Sequence, residues 1–142
     1  MKLEHMEAVN ALVSGTFLPR MFRVHQMFPR PAIEIDHIPA ILREQLDVPA
    51  VREKIRPGMH IAITAGSRQI ANLPLILRCI IGIVEDFGAY PFIVPAMGSH
   101  AGATAEGQKD MLKSLGITEE TVGCPIRSSM ETIHIGKNDE GV

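Results

Sequence analysis

The sequence predicts an α/β fold, a Rossmann-like layered sheet, parallel or mixed, with flanking helices. Three observations predict it. Short apolar runs of strand length at residues 59–64 and 90–96 alternate with longer segments of helical spacing. Each run is followed by a glycine-containing turn and then a helix, the order that forces a crossover and lays successive strands parallel. Finally, 142 residues with 46% hydrophobic and 21% charged side chains supply one core, hence one domain rather than two.

In chain order, residues 1–17 form an N-terminal extension with weak helical spacing over 6–14, and residues 18–142 form the α/β domain. Residues 21–28 alternate Phe22, Val24, Gln26 and Phe28 against Met21, Arg23, His25 and Met27, which predicts an edge strand with one wet face, ended by Pro29 and Pro31. Asp36 is placed to cap a helix whose Ile38, Ile41, Leu42 and Leu46 recur at three- and four-residue spacing, with Pro39 in its first turn. Asp47 and Pro49 repeat the pattern for a short helix before the Arg56-Pro57-Gly58 turn.

Residues 59–64 then read as a strand buried on both faces, followed by the turn Ala65-Gly66-Ser67-Arg68. Asn72 is expected to cap a helix that holds Pro74 in its first turn, runs to Phe87 and stops at Gly88. The unit repeats with a strand over 90–96, a glycine-rich turn over 97–103 and a helix over 104–115 closed by Gly116. Residues 117–130 are looser, and 131–135 read as a last strand. Residues 136–142 have the composition of a hairpin turn leading into a further strand, so the chain reads as cut.

Composition excludes several function classes. A net charge of −2 offers no field to recruit nucleic acid or anionic lipid. Aromatic content of 4% without tryptophan supplies no base-stacking platform. Cys79 and Cys124 are too few and too far apart for a zinc half-site or a disulfide framework, which suits the reducing cytoplasm. Glu4 and Glu7 speak against a signal peptide, and the apolar stretch 73–87 is too short to span a bilayer and carries Arg78.

The candidate chemistry sits in the two turns. Ser67 and Arg68 follow one predicted strand, Ser99 and His100 the next, and ligands of open α/β sheets bind outside the carboxyl ends of the strands. Arginine grips a carboxylate with two parallel hydrogen bonds, and histidine moves protons near neutral pH. An arginine after a strand is also an ordinary solvated turn residue, and a lone histidine commonly only packs. Equivalent placement on successive units is what singles out Arg68 and His100. The loop from Gly98 to Thr104 is neither Gly-x-Gly-x-x-Gly nor a Walker loop, and Glu106 would repel a phosphate there. His5, His25, His37, His60 and His134 lack local partners at metal-ligand spacing, and the methionines read as packing residues.

The runs Ala62-Ile63-Thr64-Ala65-Gly66-Ser67-Arg68, Pro91-Phe92-Ile93-Val94-Pro95-Ala96-Met97-Gly98-Ser99-His100-Ala101-Gly102-Ala103-Thr104 and the stretch 117–130 together resemble the N-terminal domain of the lactate racemase (LarA-like) family. The resemblance covers the chain from about Leu18 onward but only the leading part of a full-length member. It implies an isomerase, a racemase or epimerase of small 2-hydroxy acids, that uses a nickel-pincer nucleotide between two α/β domains. Carried over, Arg68 corresponds to the carboxylate-gripping arginine, His100 to one of two acid/base histidines, and Ser67 to a position often held by threonine.

Ala65-Gly66 departs from the acidic residue of the characterised racemase, which leaves the substrate open. The lysine that attaches the cofactor, the nickel-binding histidine and the second acid/base histidine belong to segments beyond Val142. The resemblance therefore implies no cofactor bound by this fragment alone and no activity without the missing C-terminal domain. The alternative is a non-catalytic α/β module for a small carboxylate or nucleotide, and the long apolar helix is compatible with a homo-oligomer.

Overall fold

In the computed structural model, residues 3–15, 20–29 and 31–136 are described. The backbone divides into two units, Met1–Ala32 and Ile33–Val142. The first holds helix α1 (Leu3–Val13). Residues 20–29 have no regular structure, contrary to the edge strand predicted over 21–28. Met21, Phe22, Val24, Met27 and Phe28 are all exposed, on both faces of the alternation. Period-two patterning makes a strand only where a neighbour accepts its hydrogen bonds, and among the described residues none pairs here.

The second unit is α/β. Its helices are α2 (Ile38–Leu46), α3 (Pro49–Arg52), α4 (Leu73–Asp86), α5 (Ala105–Ser114) and α6 (Glu119–Val122). Its strands, β1 (His60–Ala65) and β2 (Tyr90–Pro95), pair in parallel with His60 opposite Tyr90 and Ala65 opposite Pro95. Beyond β2, Ile126 makes one parallel bridge to Ile93: Ile93 N–H donates to Pro125 (2.8 Å) and Arg127 N–H to Ile93 O (2.8 Å). Residues 131–136 carry no strand, so the last predicted strand is absent, and 137–142 lie outside the described residues.

Parallel pairing requires the chain to return between β1 and β2, and α4 is that return. Its apolar stripe puts Leu73, Leu77, Ile81 and Val84 into the core, while Arg78, Glu85 and Asp86 stay in water. α4 ends in a Schellman motif: Gly88 N–H donates to Glu85 O (2.8 Å) and Ala89 N–H to Val84 O (3.2 Å). Gly88 has φ +78°, and a Cβ there would meet Pro57 at 3.1 Å, so the stop predicted at this glycine has both a conformational and a steric basis.

The core joins Leu77 and Ile81 of α4 to Ile93 of β2, Leu112 of α5, and Ile117, Val122 and Ile126. α2 packs outside α4, where Arg43 pairs with Asp86. The strand predicted as buried on both faces is half open: His60, Ala62 and Thr64 are exposed, while Ile61, Ile63 and Ala65 turn inward. The reason is coverage, since Ile63 and Ala65 belong to the one core shared with α4 and α5.

The acidic caps also differ from expectation. Asp36 lies inside a 3-10 turn (Ile35–His37) that leads into α2, whose N-cap is His37. Asp47 instead ends α2 and pairs with Arg52 Nε at 2.8 Å, leaving Val48 before α3. Asn72 does precede α4, but in the left-handed region (φ 59°) without a side-chain cap bond. Thr104 caps α5 by accepting from Gly107 N–H (3.1 Å), and Thr118 with Thr121 forms a reciprocal cap on α6.

Two substitutions test this arrangement. Ile93 is fully buried, so Ile93→Ala is expected to lower urea-measured stability by about 3 kcal/mol, against less than about 0.5 kcal/mol for the exposed Thr64→Ala. Gly82 lies inside α4 with nothing within 4 Å of a built Cβ, so Gly82→Ala is expected to raise stability by about 0.5–1 kcal/mol.

Candidate functional site

The site is built where the two strands end. Register carries β1 and β2 to the same carboxyl edge, and Ala96 N–H donates to Ala65 O (2.8 Å), so the two turns leave the sheet side by side. Ser67 stands two residues beyond β1, half-buried; His100 stands five beyond β2, exposed. Their side chains meet: Ser67 Oγ lies 2.5 Å from His100 Nδ1. Two turns separated by a full strand–helix unit therefore converge on one hydrogen bond.

The bond has a chemical consequence in either tautomer. When Nδ1 carries the proton it donates to Ser67 Oγ, and Nε2 keeps a lone pair able to take a proton from a ligand hydroxyl. When Ser67 donates to Nδ1, Nε2–H becomes a donor. Ser67 holds one ring nitrogen, and Nε2 has no protein hydrogen-bond partner among the described residues.

Arg68 goes elsewhere. It is exposed, and among the described residues it makes no salt bridge. With Ile70, Asn72, Leu73, Pro74 and Leu115 it lines a cleft of about 560 Å³ between the start of α4 and the end of α5. Neither Ser67 nor His100 lines that cleft. Their order in the sequence predicts all three residues at one edge; the structure joins Ser67 to His100 and leaves Arg68 beside them on the wall of a separate concavity.

The loop that carries His100 is conformationally costly. Gly98, Ala101, Gly102 and Ala103 all have positive φ (60°, 55°, 73° and 52°), and left-handed alanines cost about 1 kcal/mol or more each. Two residues outside the predicted site hold the loop. Gln108, buried in α5, donates from Nε2 to Gly98 O at 2.7 Å. Gly107 lets α5 close against the loop, since a Cβ there would stand 2.2 Å from Ala101 O. A signal for Gln108 was present in the sequence: it precedes the fully buried Leu112 by four residues, a polar side chain on an apolar helix face.

A second cleft, of about 580 Å³, opens at the opposite, amino end of the strands, lined by His60, Tyr90, Phe92, Cys124 and Arg127 among others. Arg127 stacks over Phe92 at 4.4 Å, and the His60 and Tyr90 rings lie 5.4 Å apart. No three His, Cys, Asp or Glu side chains converge as a metal-ligating group among the described residues. No helix there is long and apolar enough to cross a membrane. Comparison with protein-family models, with curated proteins and with solved structures finds no match.

Burial pushes the Cys124 thiol above the ordinary value of 9.0, with the negative charges of Glu85 and Glu119 acting in the same direction against the Ile93 backbone hydrogen bond. The folded state thus holds this proton more tightly than the unfolded one. Its contribution to stability is complete below pH 9.0 and is lost as pH rises through that value towards the folded one. Urea unfolding of the wild type and Cys124→Ala across pH 7–10.5 tests this: the wild type's advantage is expected to shrink on the alkaline side, and a gap constant with pH would refute it.

Proposed function

We propose that this chain is the substrate-binding and acid–base domain of a racemase or epimerase of small 2-hydroxy acids, and that β1 and β2 belong to a Rossmann-like layered sheet. The observation that carries the reading is the 2.5 Å contact between Ser67 and His100 across the turns of two successive strand–helix units. In this reading Ser67 fixes the imidazole, and Nε2 takes the proton of the substrate's 2-hydroxyl and returns it. Arg68, without a carboxylate partner of its own among the described residues, binds the substrate carboxylate.

Inverting the 2-carbon also requires a hydride acceptor. In the family this sequence resembles, a nickel-pincer nucleotide supplies that chemistry. The described residues offer no metal-ligating group for it. The acceptor would come from a partner domain of a longer parent. Two free cysteines and the absence of a long apolar helix among the described residues are compatible with work in the cytoplasm.

A second reading has one observation in its favour. Because Arg68 lines a cleft that Ser67 and His100 do not, the chain would bind a carboxylate at Arg68 without turnover. The readings part on the hydroxyl. Titration with lactate and with propionate, followed by NMR of the His100 ring and the Arg68 side chain, separates them. The acid–base reading expects lactate, but not propionate, to move the His100 ring, and expects Arg68→Ala to weaken lactate binding about tenfold or more. Equal responses to both acids, confined to Arg68, favour the binding module. No response at either residue refutes both.

A further inference from the structure

We propose that Gln108 is a positioning residue for His100, a latch that holds the loop over 97–104 in the one conformation from which the imidazole reaches Ser67. The inference concerns the geometry of the pair and takes only its functional meaning from the acid–base reading above.

Gln108 occupies an unfavourable place for its residue type. Gln108 is 4% exposed, the one buried polar side chain among the described residues. A buried amide without a partner costs about 1–3 kcal/mol, and an apolar side chain of similar length would pack beside Leu112 without that liability. What a glutamine can do there and leucine cannot is donate. Its Nε2 donates 2.7 Å to the carbonyl of Gly98, the residue at which the loop first turns left-handed (φ 60°) and two residues before His100.

The far side of His100 is held by a second set of contacts. Thr104 Oγ1 approaches Ala101 O at 3.4 Å, Gly107 N–H donates to Thr104 Oγ1 at 3.1 Å, and Gly107 lies so close to Ala101 that no Cβ fits. Met97, buried in the core, anchors the loop's start, and His100 N–H donates to its carbonyl at 3.2 Å. Left-handed residues persist only where the surroundings over-determine them. Ala101 is fixed by Thr104 and Gly107 at the start of α5, and Gly98 by Gln108. With the Gly98 carbonyl freed, the loop relaxes between its two anchors, and the His100 side chain, exposed and hydrogen-bonded only to Ser67 among the described residues, moves with it.

The test uses the full chain and NMR of the His100 ring. In the wild type, nuclear Overhauser contacts are expected between the Ser67 β-protons and the His100 ring, and Ser67→Ala is expected to shift the ring resonances. In Gln108→Leu, and in Gln108→Met should the leucine variant fold poorly, those contacts are expected to disappear, and a further Ser67→Ala to leave the ring resonances where they are. A Gln108 variant that melts earlier yet keeps the Ser67–His100 contact and its response to Ser67→Ala has lost only stability, and overturns the proposal. In the unmodified protein, the Gln108 side-chain amide is expected to exchange with solvent about tenfold or more slowly than that of exposed Gln69; equal rates also overturn it. The acid titrations fail separately: an unresponsive His100 that still depends on Gln108 removes the acid–base reading and leaves the latch.

Discussion

Parallel pairing of β1 with β2 is the constraint on which the rest of this domain depends. Because adjacent strands run the same way, the chain must return along the full length of the sheet between them, and α4 is that return. The same direction fixes polarity: both strands deliver their following turns to one edge, and their preceding turns to the other. Ser67 and His100 are 33 residues apart in sequence, and register alone brings their turns together. An antiparallel pairing of the same strands would have sent one turn to each end.

Direction brings the turns together, but hydrogen-bond distance demands that the loop after β2 fold back. That is why left-handed backbone concentrates at Gly98 and at 101–103, whereas the connection after β1 has it only at Asn72, directly before α4. The energy stored there is offset by anchors on α5, whose first turns do two jobs. Thr104 and Gly107 shape the loop while starting the helix, and Gln108 gives up an apolar position on the core face to hold Gly98. Stability of α5 and geometry of the site thus draw on the same residues.

The sequence showed the periodic features well. Glycines at 88 and 116 stop α4 and α5, and strand and helix alternate over 59–115 as their patterning predicts. Patterning failed where structure depends on a partner. Residues 21–28 alternate as a strand does, yet no neighbour pairs with them among the described residues. Asp36 and Asp47 have the composition of N-caps, but whether a carboxylate caps a helix or answers an arginine depends on where that arginine lies, and Asp47 answers Arg52. Thr118-Glu119-Glu120-Thr121 lacks the usual Glu or Gln at the third helical position, so its reciprocal cap was hidden behind an unusual hydroxyl partner. At the site, residue types and strand order put Ser67 and His100 at one edge; their contact, and the divergence of Arg68 into the cleft beside α4, depend on side-chain directions that a linear reading does not contain.

The open sheet face follows from the same economy. Parallel sheets are ordinarily covered on both sides, and their strands are correspondingly apolar throughout. β1 presents His60, Ala62 and Thr64 to water, two polar side chains and one methyl, so exposure there costs little. Phe92 on the same face of β2 is a larger apolar surface, and Arg127 lies over its ring at 4.4 Å, covering it with a cation that keeps its own contact with solvent. Arg127 is held in place because its backbone N–H donates to Ile93 O (2.8 Å), so the residue that extends the sheet by one bridge also roofs its aromatic. α4 and α5 then serve the other face, where they build the core beneath Ile93 and, at its carboxyl edge, hold the loop that brings His100 to Ser67.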